Sequence, residues 1–210
     1  MAFDFKKEYR DLYMPKSEPA VITAPPMKFI LVRGHGDPNE EGGEYKKALE
    51  TLYALAYTIK MSKKGERHIE GYFDFVVPPL EGFWSQKGGG IIDYARKEDF
   101  FWISALRVPD FVENEDFLWA VGEVNRKKKA DAGKAEFMTY EEGLCVQCMH
   151  TGPYDDEPGT VSRMNDFILR EGYVTDISNE RLHHEIYLSD PRRTPPEKLK
   201  TVIRHPIRRA

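Results

Sequence analysis

The sequence predicts an α+β fold built as two related β-α-β-β halves, and three observations carry that expectation. Strand-like and helix-like stretches follow one another in the same order twice along the chain. Gly36-x-x-x-x-Glu41-x-Gly43 and Gly152-x-x-x-x-Glu157-x-Gly159 share their spacing, each after a strand-like run and before an amphipathic stretch. The 210 residues, 40% hydrophobic and 31% charged with both signs interspersed, have globular proportions, so one compact body with a real core is expected. Two such halves place a cleft at their junction, where pockets commonly form.

Residues 1–27 combine Phe3, Phe5, Tyr9, Leu12 and Tyr13 with Pro15, Pro19, Pro25 and Pro26. Prolines at that density forbid a long helix or a central strand, so this segment reads as an extended arm on a body spanning 28–210. Lys28-Phe-Ile-Leu-Val-Arg33 is short, apolar and β-rich, and Gly34-His-Gly-Asp-Pro38 ends it. Tyr45, Ala48, Leu49, Leu52, Leu55, Ala56 and Ile59 then follow helical spacing up to Lys63-Lys64-Gly65. Tyr72–Val77 and Gly82–Gln86 read as short strands around Val77-Pro-Pro-Leu80, with Gly88-Gly89-Gly90 beyond. Phe100–Val108 closes the first half, about 28–109, as a strand.

The second half, about 110–210, opens on a helix bracketed by Glu113, Glu115 and Asp116 at its start and Lys127-Lys128-Lys129 at its end, charges that complement the helix dipole. Glu136–Tyr140 and Leu144–Thr151 read as a hairpin through Glu141-Glu142-Gly143. A helix over 159–171, a strand over 183–188, a helical turn at Pro195-Pro196-Glu197 and a closing strand over 201–208 complete the order.

Composition excludes several classes. A net charge of −4 with pI near 5.9 lacks the concentrated positive face of a nucleic-acid binder. No run approaches the length of a membrane span and the N-terminus lacks a signal peptide's apolar stretch, so a cytoplasmic protein without a membrane partner is expected. Cys145 and Cys148 have redox or zinc spacing, but they fall within a strand on opposite faces and no second cysteine pair exists, so they read as buried small hydrophobes and no metal is expected. Gly34-His35-Gly36 lacks the remainder of a phosphate loop, and no serine sits in a nucleophile elbow. His183 and His184 are adjacent in a strand and face opposite ways, so they cannot share a metal.

The informative residue is Glu185. Alternation puts His183, Glu185 and Tyr187 on one strand face and His184, Ile186 and Leu188 on the other. If the second set packs in the core, the Glu185 face looks into solvent, paired with a cross-strand Arg, or into a cavity where desolvation tunes the carboxylate for proton transfer. Aromatic supply favours the cavity. Tyr53 and Tyr57 lie one helical turn apart, and Trp84, Trp102 and Trp119 fall in three separate elements, a set able to line a pocket for a flat hydrophobic or cationic aromatic molecule.

Tyr72-x-Phe-Asp-Phe-Val-Val-Pro-Pro-Leu-Glu-Gly-Phe-Trp84, Phe101-Trp102-Ile and Glu185-Ile-Tyr-Leu-Ser-Asp-Pro-Arg-Arg-Thr-Pro-Pro-Glu-Lys-Leu-Lys-Thr-Val-Ile-Arg204 resemble the GyrI-like small-molecule-binding proteins over about residues 20–210. The resemblance implies a tandem pair of β-α-β-β modules forming a duplicated antiparallel sheet around a central ligand cavity. It also implies a buried ligand-facing glutamate, matched by Glu185. The Leu-Glu-Gly-Phe-Trp and Asp-Pro-Arg-Arg-Thr segments are similar to those of stand-alone members that hydrolyse the cyclopropane of DNA-alkylating cyclopropanoid compounds. On that reading Glu185 activates water, one of Tyr53, Tyr57 and Tyr187 hydrogen-bonds the developing phenolate, with Tyr57 the first candidate, and Trp84, Trp102 and Trp119 clamp the ring system. No cofactor is required. The alternatives are a non-catalytic drug-binding or sequestering protein and a gyrase-interacting inhibitor.

Overall fold

The computed structural model describes residues 2–65, 67–88, 92–128 and 130–210. Gly89 and Gly90 of the glycine run and Lys129 of the lysine run lie outside the described residues. The arm is not extended throughout. It holds two single helical turns, α1 (Phe5–Glu8) and α2 (Arg10–Tyr13), and a strand, β1 (Ala20–Ala24). Then come β2 (Met27–His35), α3 (Glu44–Lys60), β3 (Leu80–Gln86), β4 (Phe100–Arg107), α4 (Asn114–Arg126), β5 (Ala135–Tyr140) and β6 (Gly143–Thr151). The chain ends with α5 (Glu157–Arg170), β7 (Tyr173–Thr175), β8 (His183–Tyr187) and β9 (Lys200–Arg209). Ala48, Leu52, Leu55, Ala56 and Ile59 form the buried stripe of α3, as their spacing requires. The acids before α4 act locally: Glu113 and Asp116 form a reciprocal capping box.

The strands make one antiparallel sheet in the order β1-β6-β9-β8-β3-β4-β2-β5, with β7 paired to the end of β9. The central six read as two copies of one arrangement, β6-β9-β8 and β3-β4-β2, joined along the β8–β3 seam. Each half also lends its leading strand to the other: β1 pairs with β6, and β5 pairs with β2. Gly36 and Gly152 follow equivalent strands and both take positive φ, 97° and 140°, which explains the glycine shared by the two spacings. Both long helices lie on one face. α3 packs on β2 and β4, and α5 packs on β6 and β7.

Two sequence expectations are corrected. Residues 135–140 and 143–151 are strands but not a hairpin, because β5 ladders with β2 while β6 ladders with β1 and β9. Their connection is a buried corner, with the Glu142 carboxylate turned inward to His184 and Arg204. Residues 72–77 are not a strand, apart from a single bridge between Phe75 and Phe3. Pro78 and Pro79 withhold ladder donors there. Side chains hold the segment instead: Lys60 and Lys63 grip Asp74 at 3.1 and 2.9 Å, Lys60 also donates to the Phe75 carbonyl, and the Tyr72 hydroxyl donates to the Lys60 carbonyl.

On the face opposite the helices, the arm covers a buried polar network. His184 stacks on Phe83 and bridges Glu81 and Glu142 at 2.9 and 3.1 Å. Arg204 donates to Glu142, Gln147 and the Leu12 carbonyl, and the Tyr13 hydroxyl donates to Glu81. Burial disfavours the Glu142 charge, but the His184 and Arg204 charges overcome it and hold the carboxyl near 2.

Candidate functional site at the seam between the halves

Cross-strand partners share a sheet face, so the ladder fixes what surrounds Glu185. Gly82 is opposite both Glu185 and Ser104, and Trp84 is opposite both His183 and Trp102. The helix-covered face at the seam therefore carries Trp84, Trp102, His183, Glu185 and Tyr187 together. Two glycines make this possible. A Cβ on Gly34 would fall 2.2 Å from the Trp102 ring, and one on Gly82 would fall 2.6 Å from Trp84 Nε1, so both indoles lie where only glycine leaves room.

Glu185 is 6% exposed, and both of its oxygens have partners. His183 Nε2 lies 2.8 Å from Oε1, and the Tyr187 hydroxyl donates to Oε2 at 2.6 Å. Trp84 Nε1 in turn donates to the Tyr187 oxygen at 2.9 Å. His183 Nδ1 contacts His205 Nε2 at 2.7 Å. Burial disfavours the Glu185 charge, yet the hydrogen bond and charge of His183 and the Tyr187 hydroxyl outweigh it, holding the carboxyl below its ordinary range. Burial and the Glu185 charge push the Tyr187 phenol up, so it stays a donor.

Over this floor sits a roof from the start of each long helix. Tyr45 of α3 packs on Trp84 and edge-on against Trp102, with ring centroids 5.6 and 5.1 Å away. Tyr154, just before α5, meets Tyr187 edge-on at 5.6 Å. Glu157, the first residue of α5, is 0% exposed and accepts a hydrogen bond from the Tyr94 hydroxyl at 3.0 Å. Oxygens of Glu157 and Glu185 and a nitrogen of His183 lie within 4.8 Å of one another, which makes this the group among the described residues whose donors could converge on a cation. His183 and the Tyr187 hydroxyl engage the two Glu185 oxygens and the Tyr94 hydroxyl engages Glu157 Oε2, while Glu157 Oε1 has no donor among the described residues.

Of the residues singled out in the sequence, Glu185, Tyr187, Trp84 and Trp102 come together, while Tyr53, Tyr57 and Trp119 do not join them. Tyr53 and Tyr57 are 37% and 52% exposed. Tyr57 stands twelve residues beyond Tyr45 on α3, about 18 Å along the axis at helical rise. With Trp119, Ser62 and Arg67 it lines a separate cavity of about 370 Å³ between α3 and α4. A second cavity, about 320 Å³, lies on the opposite sheet face over Phe29, Leu31, Phe83 and Met138. Glu185 lines neither cavity. Its carboxylate is internal, one of the two placements that strand parity left open, but the space around it is filled by tyrosines. Sequence reading passed over Glu157, Tyr45 and Tyr94. Glu157 stood in the repeated spacing, the one signal that marked it. The cysteines are both free and buried, with Cys148 packed toward α5 against Met164 and Ile168.

No curated protein matches the chain. Solved structures do. A hydrolase from Listeria innocua is 47% identical, with TM-score 0.89 over 98% of this chain and 100% of that one. An uncharacterized conserved protein from Listeria innocua is 48% identical, with TM-score 0.92 over 98% of this chain and 100% of that one. The EcmrR C-terminal domain shares the fold at 14% identity, with TM-score 0.53 over 92% of this chain and 98% of that one. The model of the GyrI-like small molecule binding domain matches residues 17–208, and the chain belongs to that family.

Proposed function

We propose that this protein is a hydrolase that opens the strained cyclopropane of DNA-alkylating cyclopropanoid compounds, with Glu185 as the base. The carrying observation is a carboxylate that is 6% exposed, held ionised by His183 and Tyr187, and enclosed by aromatic rings from both halves. The hydrolase from Listeria innocua, alike over nearly the whole chain, supports hydrolytic chemistry.

In such a compound the cyclopropane is conjugated to a dienone. Water adds to the ring carbon, a ring bond breaks, and its electron pair moves through the dienone to make a phenol. Glu185 takes the proton from the attacking water, and a phenol donor stabilises the oxygen where charge develops. Tyr187 fits the donor role: its hydroxyl, oriented by Trp84 and 2.6 Å from Glu185, turns its one proton from that carboxylate to the substrate oxygen as charge develops there. Tyr45 covers Trp84 and Trp102, so the substrate enters by displacing that ring, and the indoles then flank it and exclude water. Tyr57 and Trp119 are left out of this mechanism because they line the other cavity.

The test is incubation with a cyclopropanoid and detection of a water adduct by mass spectrometry. Glu185→Gln keeps the volume but cannot accept the proton, so turnover is expected to fall roughly 10²–10⁴-fold while binding of a neutral flat ligand persists. Unchanged turnover removes Glu185 as the base. One observation favours a second reading, a binding or sequestering protein: both Glu185 oxygens are already satisfied, which suits a carboxylate waiting for a cationic aromatic ligand. Tight binding by the parent protein without any water adduct selects that reading.

A further inference from the structure

The geometry points to Glu157 and Glu185 as a carboxyl pair that holds one proton between them, with Glu157 as its acid member and Glu185 as its base. This rests on the hydrolytic reading for its catalytic role, but not for the existence of the pair.

The inference starts from what each carboxyl group faces. Glu185 receives His183 on one oxygen and Tyr187 on the other, which is the environment of an ionised carboxylate. Glu157 receives only the Tyr94 hydroxyl on Oε2, and its Oε1 is buried with no donor among the described residues. Oxygens of the two groups lie within 4.8 Å, and both residues are buried. Two acceptors in contact away from water need a proton between them.

The other groups facing Glu157 do not supply a compensating charge. From the turn before α5, Asp155 adds negative charge, and the nearby Lys97 is spent on it at 2.8 Å. From the loop before β4 comes neutral Tyr94, and from the sheet come Tyr187 and the His183–Glu185 pair. The α5 N-terminus favours an anion at its first residue. Burial and the Glu185 charge oppose it and push the Glu157 carboxyl well above its ordinary range.

One proton suits the reaction. Ring opening requires a proton on the dienone oxygen and releases one from water. Glu157 gives its proton to the oxygen as the ring bond breaks, Glu185 takes the water proton as the C–O bond forms, and transfer from Glu185 to Glu157 across their contact restores the pair. Atoms and charge balance with water as the only co-reactant.

Two measurements on the full chain test this. In carbon-13 NMR of glutamate-labelled protein, one carboxyl is expected to be protonated at pH 7, with its signal lost in Glu157→Gln. Two ionised carboxylates at pH 7, or a stoichiometric metal ion on the purified protein, overturn the pair. With a cyclopropanoid, Glu157→Gln reproduces the shape and hydrogen bonding of the neutral acid but cannot release a proton. Turnover should drop about 10²–10⁴-fold with ligand binding unchanged and with loss of the alkaline limb of the pH profile. Parent-like turnover in Glu157→Gln overturns its role as acid. Absence of a water adduct from the parent protein defeats the substrate reading, and the NMR result then still decides the carboxyl pair.

Discussion

Replacing Tyr187 with Phe removes one oxygen at the centre of the site and isolates how Glu185 is kept ionised. The hydroxyl does two jobs: it donates to Glu185 Oε2 at 2.6 Å and accepts from Trp84 Nε1 at 2.9 Å. A hydrogen bond to a charged group contributes about 1.5–3 kcal/mol, so losing the first should raise the Glu185 pKa by about one to two units. The second leaves a buried indole N–H without an acceptor, at a cost of about 1–3 kcal/mol. Together the two losses come to about 2.5–6 kcal/mol, which corresponds to a melting temperature lower by roughly 5–24 °C in a protein of this size.

The two parts separate by pH. A carboxyl whose folded pKa lies below its unfolded value near 4.5 contributes stability above that value and loses it as pH falls through the folded pKa. The Glu185 part of the difference between parent and Tyr187→Phe is therefore full at pH 7 and shrinks below pH 4.5, while the Trp84 part persists. Urea unfolding followed by circular dichroism from pH 7 to pH 3 reads both. A difference that does not change with pH would refute the claim that Tyr187 holds Glu185 ionised.

Two further outcomes follow from the opposite face and the cysteines. Glu142→Gln leaves Arg204 and His184 without their shared carboxylate in a site where all three are at most 2% exposed, and should cost about 3–5 kcal/mol in urea unfolding at pH 7; because the Glu142 carboxyl sits near 2 in the fold, the penalty narrows as pH drops from 4.5 toward 2. Cys145 and Cys148 are fully buried and burial pushes both thiols up, so a thiol reagent should label them only in denaturant, and replacing both with Ala should leave turnover intact.

Much of this architecture is legible in local pattern. The apolar run at 28–33, the stripe on α3 and the closing strand all owe their form to periodicity, and strand parity alone placed Glu185 with Tyr187. What escaped is decided by partners distant in sequence. Glu141-Glu142-Gly143 has the composition of a hairpin turn, yet Glu142 turns inward because Arg204 and His184, on two other strands, await it. Residues 72–77 have strand composition, but Lys60 at the end of α3 and Lys63 just past it hold Asp74 by their side chains. Tyr53 and Tyr57 were attractive as a helical pair, whereas the tyrosine of α3 that reaches the site is Tyr45, because only the first turn of the helix overhangs the seam.

Glu157 shows why a duplicated fold hides half of its chemistry. Its counterpart in the repeated spacing, Glu41, is exposed, so spacing alone marks a position and not a role. The two halves have kept the same frame and divided the work. The first half supplies aromatic surface through Tyr45, Trp84 and Trp102; the second supplies the ionisable groups, Glu157, His183, Glu185 and Tyr187. They meet because the seam strands β3 and β8 pair directly and the starts of both long helices converge above them. Burial of Glu157 needs a further step, the loop before β4 folding across so that Tyr94 reaches the carboxyl. That contact joins residues 63 positions apart on opposite halves. No periodicity within either half encodes it, and it separates an exposed turn carboxylate such as Glu41, three residues before α3, from one that shares a proton with Glu185.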